Sequence, residues 1–364
     1  MRIAVATLIA LTSIFLYLNY RGVIFYYGFK SAIEIISLYE KHYGGENHLS
    51  PQASALNRIF KLFPLKPKNI EELREQLVFT VHPPLSLSYN QTLIKSLKNS
   101  ILVEHINAPH INKRIGILYI HGGGLVGGSP KQGFAFLQNF PEHVDMLCVR
   151  YAFAPEHLID EALADVYQAY KFMANRNYNR LVIMGDSAGG LLSTLTVMEN
   201  LQHEISIPNS KIDSMVLMSP WLDVTCASTK SFEGNAHLDF VVTEDLKRIV
   251  NESLTEALSR RFATAEDRLE MMIKYSPYHK FVVNKEKIKF PRVYQVFSKT
   301  ERFSDENVEF FEELQRQTPK EYRYKNKQRC IANLPHVYPL FGLYVPEAAE
   351  AIKEMTQFVL SEEE

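Results

Sequence analysis

A serine set between glycines is the first place in this sequence where residue types and spacing could do chemistry. The segment GDSAGG at 185–190 follows the apolar run LVIM at 181–184 and precedes a helical pattern, LLSTLTVM. Gly185 and Gly189 permit a sharp strand-to-helix turn that exposes the hydroxyl of Ser187, and the helix N-terminus favours negative charge beside it. The pattern predicts Ser187 as a nucleophile. The alternative is an ordinary glycine-rich turn in which the serine caps the helix.

A second glycine-rich segment ends the run IGILYI and consists of His121, Gly122, Gly123 and Gly124. Successive glycines leave backbone N–H groups able to point into a cavity, which the oxyanion of an acyl-transfer reaction needs. We therefore expect the N–H groups of Gly123, Gly124 and Ala188 to form an oxyanion hole. A phosphate-binding loop would instead need a GK[ST] ending or a GxGxxG spacing that leads into a helix.

A serine nucleophile needs a base, and the base needs a carboxylate that orients it, in the chain order serine, acid, histidine. Of the 12 histidines, His336 in the loop LPHVY has the position that this order requires, although a histidine is often a solvated surface group. The acid should follow the apolar run at 293–298. Glu301 is nearest to the end of that run, and Asp305 is the alternative. Both could instead cap the next helix.

Strand-like runs alternate with helical patterns from about residue 100 onward, which predicts a three-layer α/β sandwich. Continuous apolar runs such as LVIM at 181–184 and MVLM at 215–218 are typical of a parallel sheet covered on both faces. A polar, helix-rich stretch at 225–289 interrupts the alternation, and we expect it to form, with residues 29–80, a cap over the strand ends. The predicted strands are 101–106, 115–120, 146–151, 181–185, 214–219, 293–298 and 321–324. The predicted helices are 161–175, 187–201, 305–315 and 347–360.

Four motifs in this order resemble the hormone-sensitive-lipase group of α/β-hydrolases, over about residues 100–364. The matching segments are HGGG at 121–124, YAFAPEH at 151–157, GDSAGG at 185–190 and SPWLD at 219–223. The resemblance implies an α/β-hydrolase sandwich with a mostly parallel sheet and a helical cap. It also implies a serine-acid-histidine triad that hydrolyses esters without a metal or another cofactor. Together with its N-terminal segment, the chain looks most like the fungal steryl acetyl hydrolases, with arylacetamide deacetylases as neighbours.

The chain departs from this group at the acid, which is usually an aspartate in an Asp-x-Leu-x-Asp context. Here ERFSD at 301–305 puts Glu301 at the aligned position. Glutamate has this role in other α/β-hydrolases, so the resemblance implies a triad of Ser187, Glu301 and His336.

The N-terminus carries an apolar run of membrane-spanning length. Residues 3–20, IAVATLIALTSIFLYLNY, contain no Asp, Glu, Lys or Arg, and about 20 apolar residues span a bilayer. We expect an anchor at 1–28 and an α/β-hydrolase domain at 29–364. A cleaved signal peptide would need a small-x-small site, which 18–29 does not offer. A buried core helix is the other alternative.

Composition limits the function classes. Lys+Arg 40 against Asp+Glu 41 gives a formal net charge of −1, without the basic excess of a nucleic-acid-binding protein. Three dispersed cysteines are too few for a disulfide framework or a closed zinc site: Cys148, Cys226 and Cys330. Glycosylation sequons occur at Asn90 and Asn251, about as many as chance gives. The family resemblance implies the endoplasmic reticulum with a lumenal domain, whereas the flanking charges do not clearly choose an orientation and lean against a lumenal domain.

These patterns lead to the hypothesis of a membrane-anchored serine hydrolase that removes a short acyl group, such as acetyl, from a lipophilic alcohol such as a sterol. The expected partners are a lipophilic ester and a membrane, without nucleic acid, and the oligomeric state stays open. Two alternatives use the same fold: a deacetylase of lipophilic amides, and a non-catalytic ligand-binding protein.

Overall fold

The computed structural model of this protein describes residues 23–43, 48–77, 88–107, 114–176, 178–202 and 212–361. The strands in these ranges are β1 (Tyr89–Ile94), β2 (Ser100–His105), β3 (Ile115–Ile120), β4 (Val144–Val149), β5 (Arg180–Asp186), β6 (Ile212–Met218), β7 (Arg292–Ser298) and β8 (Lys327–Ile331). They form one sheet in the order β1-β2-β4-β3-β5-β6-β7-β8. β2 is antiparallel to both of its neighbours, and the pairs from β4 to β8 are all parallel.

Helices cover both faces of this sheet, which is why its central strands are apolar at nearly every position. The helices are α1 (Val23–Tyr43), α2 (Pro51–Leu62), α3 (Ile70–Leu77), α4 (Phe134–Leu137), α5 (Ile159–Ala174), α6 (Ala188–Gln202), α7 (Ser231–Gly234), α8 (Glu244–Ser259), α9 (Ala265–Lys274), α10 (Ser304–Gln317) and α11 (Pro346–Leu360). A π-helical turn spans Tyr278–Val283, and short 3₁₀ turns lie at Lys95–Leu97, Pro130–Gly133, Lys320–Lys325 and Tyr338–Phe341.

Alternate residues of the strands point to opposite faces of the sheet, and each face carries its own hydrophobic core. On β3, Leu118 and Ile120 pack in the core that includes α5, α6 and α10. Ile117 and Tyr119 point the other way, into the core that includes α2 and α11. This division follows from the two-residue period of a strand. The predicted three-layer α/β sandwich with a mostly parallel sheet is therefore confirmed.

The two edge strands differ from the sequence prediction. The strand predicted at 321–324 is wrong, because that segment forms the 3₁₀ turn Lys320–Lys325, and the last strand is β8, a few residues later. The strand β1 was not predicted. Both edge strands are largely exposed and polar, YNQTLI and KQRCI, so they lack the apolar run that identified the central strands.

The expected anchor at 1–28 lies outside the described residues except for its last positions, where α1 begins. Within the described ranges, no helix is long and apolar enough to cross a membrane. The stretch 225–289 contains α7, α8, α9 and the π-helical turn. Helix α8 contacts α3, so part of this stretch meets the N-terminal helices.

Candidate active site

The candidate residues follow the carboxyl ends of strands that are neighbours in the sheet. His121 follows β3, Ser187 follows β5, Ser219 follows β6, Glu301 comes three residues after β7, and His336 comes five residues after β8. Because these strands are parallel, their carboxyl ends meet at one edge of the sheet. The fold thus gathers residues that are more than 200 positions apart in the chain.

Ser187 lies on a strained turn between β5 and α6. Its φ angle is +51°, a region that non-glycine residues rarely occupy. The turn is held from β6: the N–H of Ser187 donates to the carbonyl of Met218 at 2.9 Å, and its own carbonyl accepts from the N–H of Trp221 at 3.1 Å. The side chain is half-buried, as a nucleophile on such a turn must be to meet a substrate.

Gly189, in the first turn of α6, allows the start of this helix to pack directly against the end of β3. A Cβ atom on Gly189 would lie 2.0 Å from the carbonyl oxygen of Ile120, and one on Gly185 would lie 2.4 Å from the carbonyl oxygen of Gly189. Only glycine fits positions where backbone approaches backbone so closely. These contacts explain why the GDSAGG pattern carries glycine on both sides of the serine.

His336 and Glu301 lie side by side in the interior. The Nδ1 atom of His336 is 3.4 Å from Oε2 of Glu301, and the two residues are 5% and 1% exposed. Burial lowers the pKa of His336, but the adjacent Glu301 carboxylate outweighs it and raises this pKa above its ordinary value. For Glu301 the largest effect is burial, which raises its pKa. The neighbouring His336 and a hydrogen bond from Ser219 lower this pKa but do not outweigh the burial. Both ring nitrogens of His336 are buried: Nδ1 lies in ion-pair contact with Oε2 without hydrogen-bond geometry, and Nε2 has no hydrogen-bond partner among the described residues.

Asp305, the alternative acid, is occupied elsewhere. Its carboxylate accepts a hydrogen bond from the N–H of Ser231 at 2.8 Å, and its own N–H donates to the Ser231 hydroxyl at 2.9 Å. It therefore joins the start of α10 to the start of α7. The structure places Glu301, and not Asp305, beside His336.

The HGGG loop has the backbone geometry that an anion site needs. Gly123 and Gly124 have φ angles of +119° and +62°, which favour glycine. Their N–H groups donate to no other described residue. Ala188 is the first residue of α6, so its N–H has no partner within the helix. All three expected donors thus have N–H groups available for a ligand.

Asp186 ties this loop to the serine turn, a contact that motif reasoning missed. Its carboxylate accepts hydrogen bonds from the N–H of Gly122 at 3.0 Å and from the hydroxyl of Tyr119 at 2.6 Å. Burial raises the pKa of Asp186 to about 6. The only signal in the sequence was its position within GDSAGG.

His121 is part of the loop's support. It is fully buried and stacks on Tyr151, with ring centroids 4.5 Å apart, and its Nδ1 lies 2.7 Å from the carbonyl of Gly122. Burial lowers the pKa of His121 to about 4, so the ring is neutral at pH 7. The described residues contain no group of three His, Cys, Asp or Glu side chains placed to hold a metal ion.

Comparisons with known proteins identify the family of this chain and several relatives. Residues 117–338, more than half of the chain, match a family described by its alpha/beta hydrolase fold. Arylacetamide deacetylase-like 2 of Homo sapiens is 32% identical over 146 residues, which are 37% of this chain and 36% of that protein. An esterase of Acinetobacter venetianus is 23% identical over 252 residues, covering 67% of this chain and 74% of the bacterial one. The match to the human relative thus spans about a third of its length.

Among solved structures, a hormone-sensitive lipase from a metagenome library superposes with a TM-score of 0.65 at 21% identity. The match covers 84% of this chain and 96% of that one. At this level of identity the likeness concerns the fold.

Proposed function

The chain belongs to the α/β-hydrolase family, in its hormone-sensitive-lipase group, and from this premise we propose that it is a serine hydrolase of carboxylic esters. The observation that carries the proposal is the contact between His336 and Glu301 at the sheet edge where Ser187 turns out of β5. A fold alone does not define a function. The proposal therefore rests on these three side chains.

In the proposed mechanism, the hydroxyl oxygen of Ser187 attacks the ester carbonyl carbon while Nε2 of His336 takes the hydroxyl proton. Glu301 orients the imidazole through Nδ1 and stabilises its protonated form. The N–H groups of Gly123, Gly124 and Ala188 bind the oxyanion, each contributing about 3 kcal/mol at the tetrahedral stage. His336 then gives its proton to the alcohol as the ester C–O bond breaks, which leaves the acyl group on Ser187. Water attacks this acyl group while His336 takes its proton, and the proton passes to the Ser187 oxygen as the acid leaves.

The direct test compares the full-length protein, purified in detergent, with its Ser187→Ala variant. We expect hydrolysis of p-nitrophenyl acetate by the wild type and loss of at least about 10³-fold in kcat in the variant, because the nucleophile is removed. Undiminished turnover by the variant would refute the assignment of Ser187. A fluorophosphonate probe separates enzyme from binding protein, since covalent labelling at Ser187 requires an activated serine and a receptor-like protein would stay unlabelled.

The substrate that we propose is a short acyl ester, such as an acetate, of a lipophilic alcohol such as a sterol. The support is the apolar run at 3–20, because a membrane-bound enzyme meets esters that partition into the bilayer at high local concentration. The measurement compares acetate release from a steryl acetate in vesicles with release from water-soluble acetates. Faster turnover of the soluble esters would contradict the substrate class.

An amide substrate is the second candidate, and the observation that favours it is the similarity to a human protein named arylacetamide deacetylase-like 2. Amide cleavage needs protonation of a poorer leaving group by His336. Paired ester and acetamide substrates with the same lipophilic group discriminate the two: a kcat/KM for the amide that equals or exceeds that for the ester would favour the deacetylase.

The proposal includes anchoring through the N-terminal segment in the membrane of the endoplasmic reticulum, with the catalytic domain in the lumen. It rests on the length of the apolar run and on the family resemblance.

A further inference from the structure

We propose that Ser219 is a positioning residue of the active site, which holds the Glu301 carboxylate against His336. The inference rests on the proposed ester hydrolysis and goes beyond it, because it adds a residue that acts through the acid and does not touch the substrate.

One hydroxyl connects the acid to the loop that carries the base. The Oγ atom of Ser219 donates a hydrogen bond to Oε2 of Glu301 at 2.7 Å, and it accepts one from the N–H of Val337 at 3.0 Å. Oε2 is also the oxygen that faces Nδ1 of His336, and Val337 is the residue after that histidine. Ser219 is completely buried, so water does not compete for these bonds.

The backbone of Ser219 is held in a conformation that directs its hydroxyl group toward Glu301. Its φ angle is +45°, and its N–H donates to the carbonyl of Val296 on β7 at 2.7 Å. Met218, the residue before it, and Trp221, two residues after it, bond the backbone of Ser187. The segment from Met218 to Trp221 thus bonds Ser187, Glu301 and the residue next to His336. A non-glycine residue held at positive φ indicates a position that its surroundings determine.

The acid needs this support because it is a glutamate. A glutamate has one more rotatable bond than an aspartate, so its carboxylate must be held by contacts to stay in one orientation. Apart from Ser219, the hydrogen bond to Oε2 is a longer one from the N–H of Ser298, at 3.3 Å. The other oxygen, Oε1, is buried and has no hydrogen-bond partner among the described residues. The Ser219 hydroxyl is therefore the strongest hold on the carboxylate.

The charge state of the acid depends on the same bond. A donor to the ionised carboxylate stabilises its charged form, so loss of the Ser219 hydroxyl makes Glu301 more basic. The other titratable groups that influence this site come from the cap stretch, α10, β8, the end of β5 and the segment after β8: Asp239, Glu306, Cys330, Asp186, His336 and Tyr338. They are unchanged in a Ser219 variant, so a shift in the pH profile reports on this hydroxyl.

The test uses Ser219→Ala with Ser100→Ala as a matched control. Ser100 is also completely buried, and its hydroxyl donates to the carbonyl of Leu97 at 2.7 Å and accepts from the N–H of Arg150 at 2.9 Å, away from the site. Both variants lose a hydroxyl with one donated and one accepted bond, and both should therefore lower the thermal unfolding midpoint.

With p-nitrophenyl acetate, Ser219→Ala should lower kcat at least tenfold while KM changes less than twofold, and the acidic limb of the kcat profile should move to lower pH, because Glu301 raises the pKa of His336 only while it lies against the ring. Ser100→Ala should leave the limb in place. Equal kinetics and equal pH profiles of the two variants would overturn the inference, and loss of turnover in the wild type or its retention in Ser187→Ala would instead overturn the proposed function.

A readout without turnover keeps the two failures separate. The ¹³C-labelled Cε1–H signal of His336, assigned by its absence in His336→Gln, can be titrated by NMR. We expect a lower pKa for His336 in Ser219→Ala, because the carboxylate that raises this pKa is no longer held against the ring, and an unchanged one in Ser100→Ala. An unchanged pKa of His336 in both would contradict the positioning role even if the protein has no esterase activity.

Discussion

At the scale of single residues, the acid of the site depends on one contact. Two carboxylates four positions apart both fit the chain order, but Oε2 of Glu301 lies 3.4 Å from His336 whereas Asp305 bonds the backbone of Ser231. A carboxylate orients the imidazole and stabilises its charge only at contact distance. Substitution of Glu301 therefore tests whether His336 depends on a neighbouring carboxylate to act as the base.

The first residue-scale prediction concerns Glu301→Gln. Removing the charge that orients the imidazole should lower kcat by about 10³–10⁴-fold, as expected for loss of a triad acid. The carboxylate raises the pKa of His336, so without it this pKa falls and the acidic limb of the residual activity should move to lower pH. Ser219→Ala should move the limb in the same direction but less far, because it loosens the carboxylate without removing it. The measurement is the pH dependence of p-nitrophenyl acetate hydrolysis.

Asp305→Asn is the matched control for this change. This substitution also neutralises a carboxylate near the start of α10. The asparagine side chain keeps an amide oxygen that can accept the hydrogen bond from the N–H of Ser231. We expect a kcat within about threefold of the wild type, since a retained neutral hydrogen bond differs by about 1 kcal/mol or less. A loss as large as that of Glu301→Gln would make Asp305 the functional acid.

At the scale of elements, the loop that carries the acid is clamped to the stretch around α7. Arg302, next to Glu301, is completely buried. Its guanidinium donates to the carbonyls of Val242 at 2.7 Å and Phe232 at 2.9 Å and also bonds Glu244, the first residue of α8. The side-chain amide of Asn235 donates to the carbonyl of Glu301 at 2.9 Å. Hydrogen bonds thus join the segment that carries the acid to α8 and to the residues around α7.

Arg302→Met should break this clamp. The variant leaves two backbone carbonyls without their charged donor, and we expect it to lower the free energy of unfolding by about 2–4 kcal/mol. Turnover should fall as well, because the neighbouring carboxylate loses its support. Urea titration of the purified full-length protein measures the first effect, and p-nitrophenyl acetate hydrolysis measures the second.

Arg248→Met is the control within α8. Arg248 is 45% exposed and pairs with Glu252 on the same helix, so its loss should change the free energy of unfolding by no more than about 0.5 kcal/mol. Equal destabilisation by the two variants would show that Arg302 has no special structural role.

At the scale of the whole molecule, the proposed anchor determines where the catalytic domain meets its substrate. The sequons at Asn90 and Asn251 lie on β1 and α8, and both asparagines are exposed. If the domain is lumenal, we expect the protein expressed in cells to stay in the membrane pellet after carbonate extraction and to be protected from protease added to intact microsomes. Endoglycosidase treatment should increase its gel mobility, and the Asn90→Gln, Asn251→Gln double variant should be insensitive to that treatment. Digestion by the added protease would contradict the orientation.

The central sheet, the serine turn and the glycine loop could be predicted from the sequence because each depends on neighbours along the chain. Apolar runs indicate buried strands, and glycines flanking Ser187 indicate a sharp turn. The edge strands β1 and β8 could not be predicted in this way, since exposed polar residues such as those of KQRCI carry no periodic pattern. Their strand character comes from pairing with a neighbouring strand.

By itself the sequence determined the fold class, the order of the motifs and the candidates Ser187 and His336. Only the tertiary structure showed that Glu301, and not Asp305, lies beside His336, and only it revealed Ser219, whose two hydrogen bonds join positions 82 and 118 residues away. Local patterns report local geometry. Which side chains share a buried hydrogen bond depends instead on how distant strands pair in the sheet, and that becomes fixed only when the whole core packs.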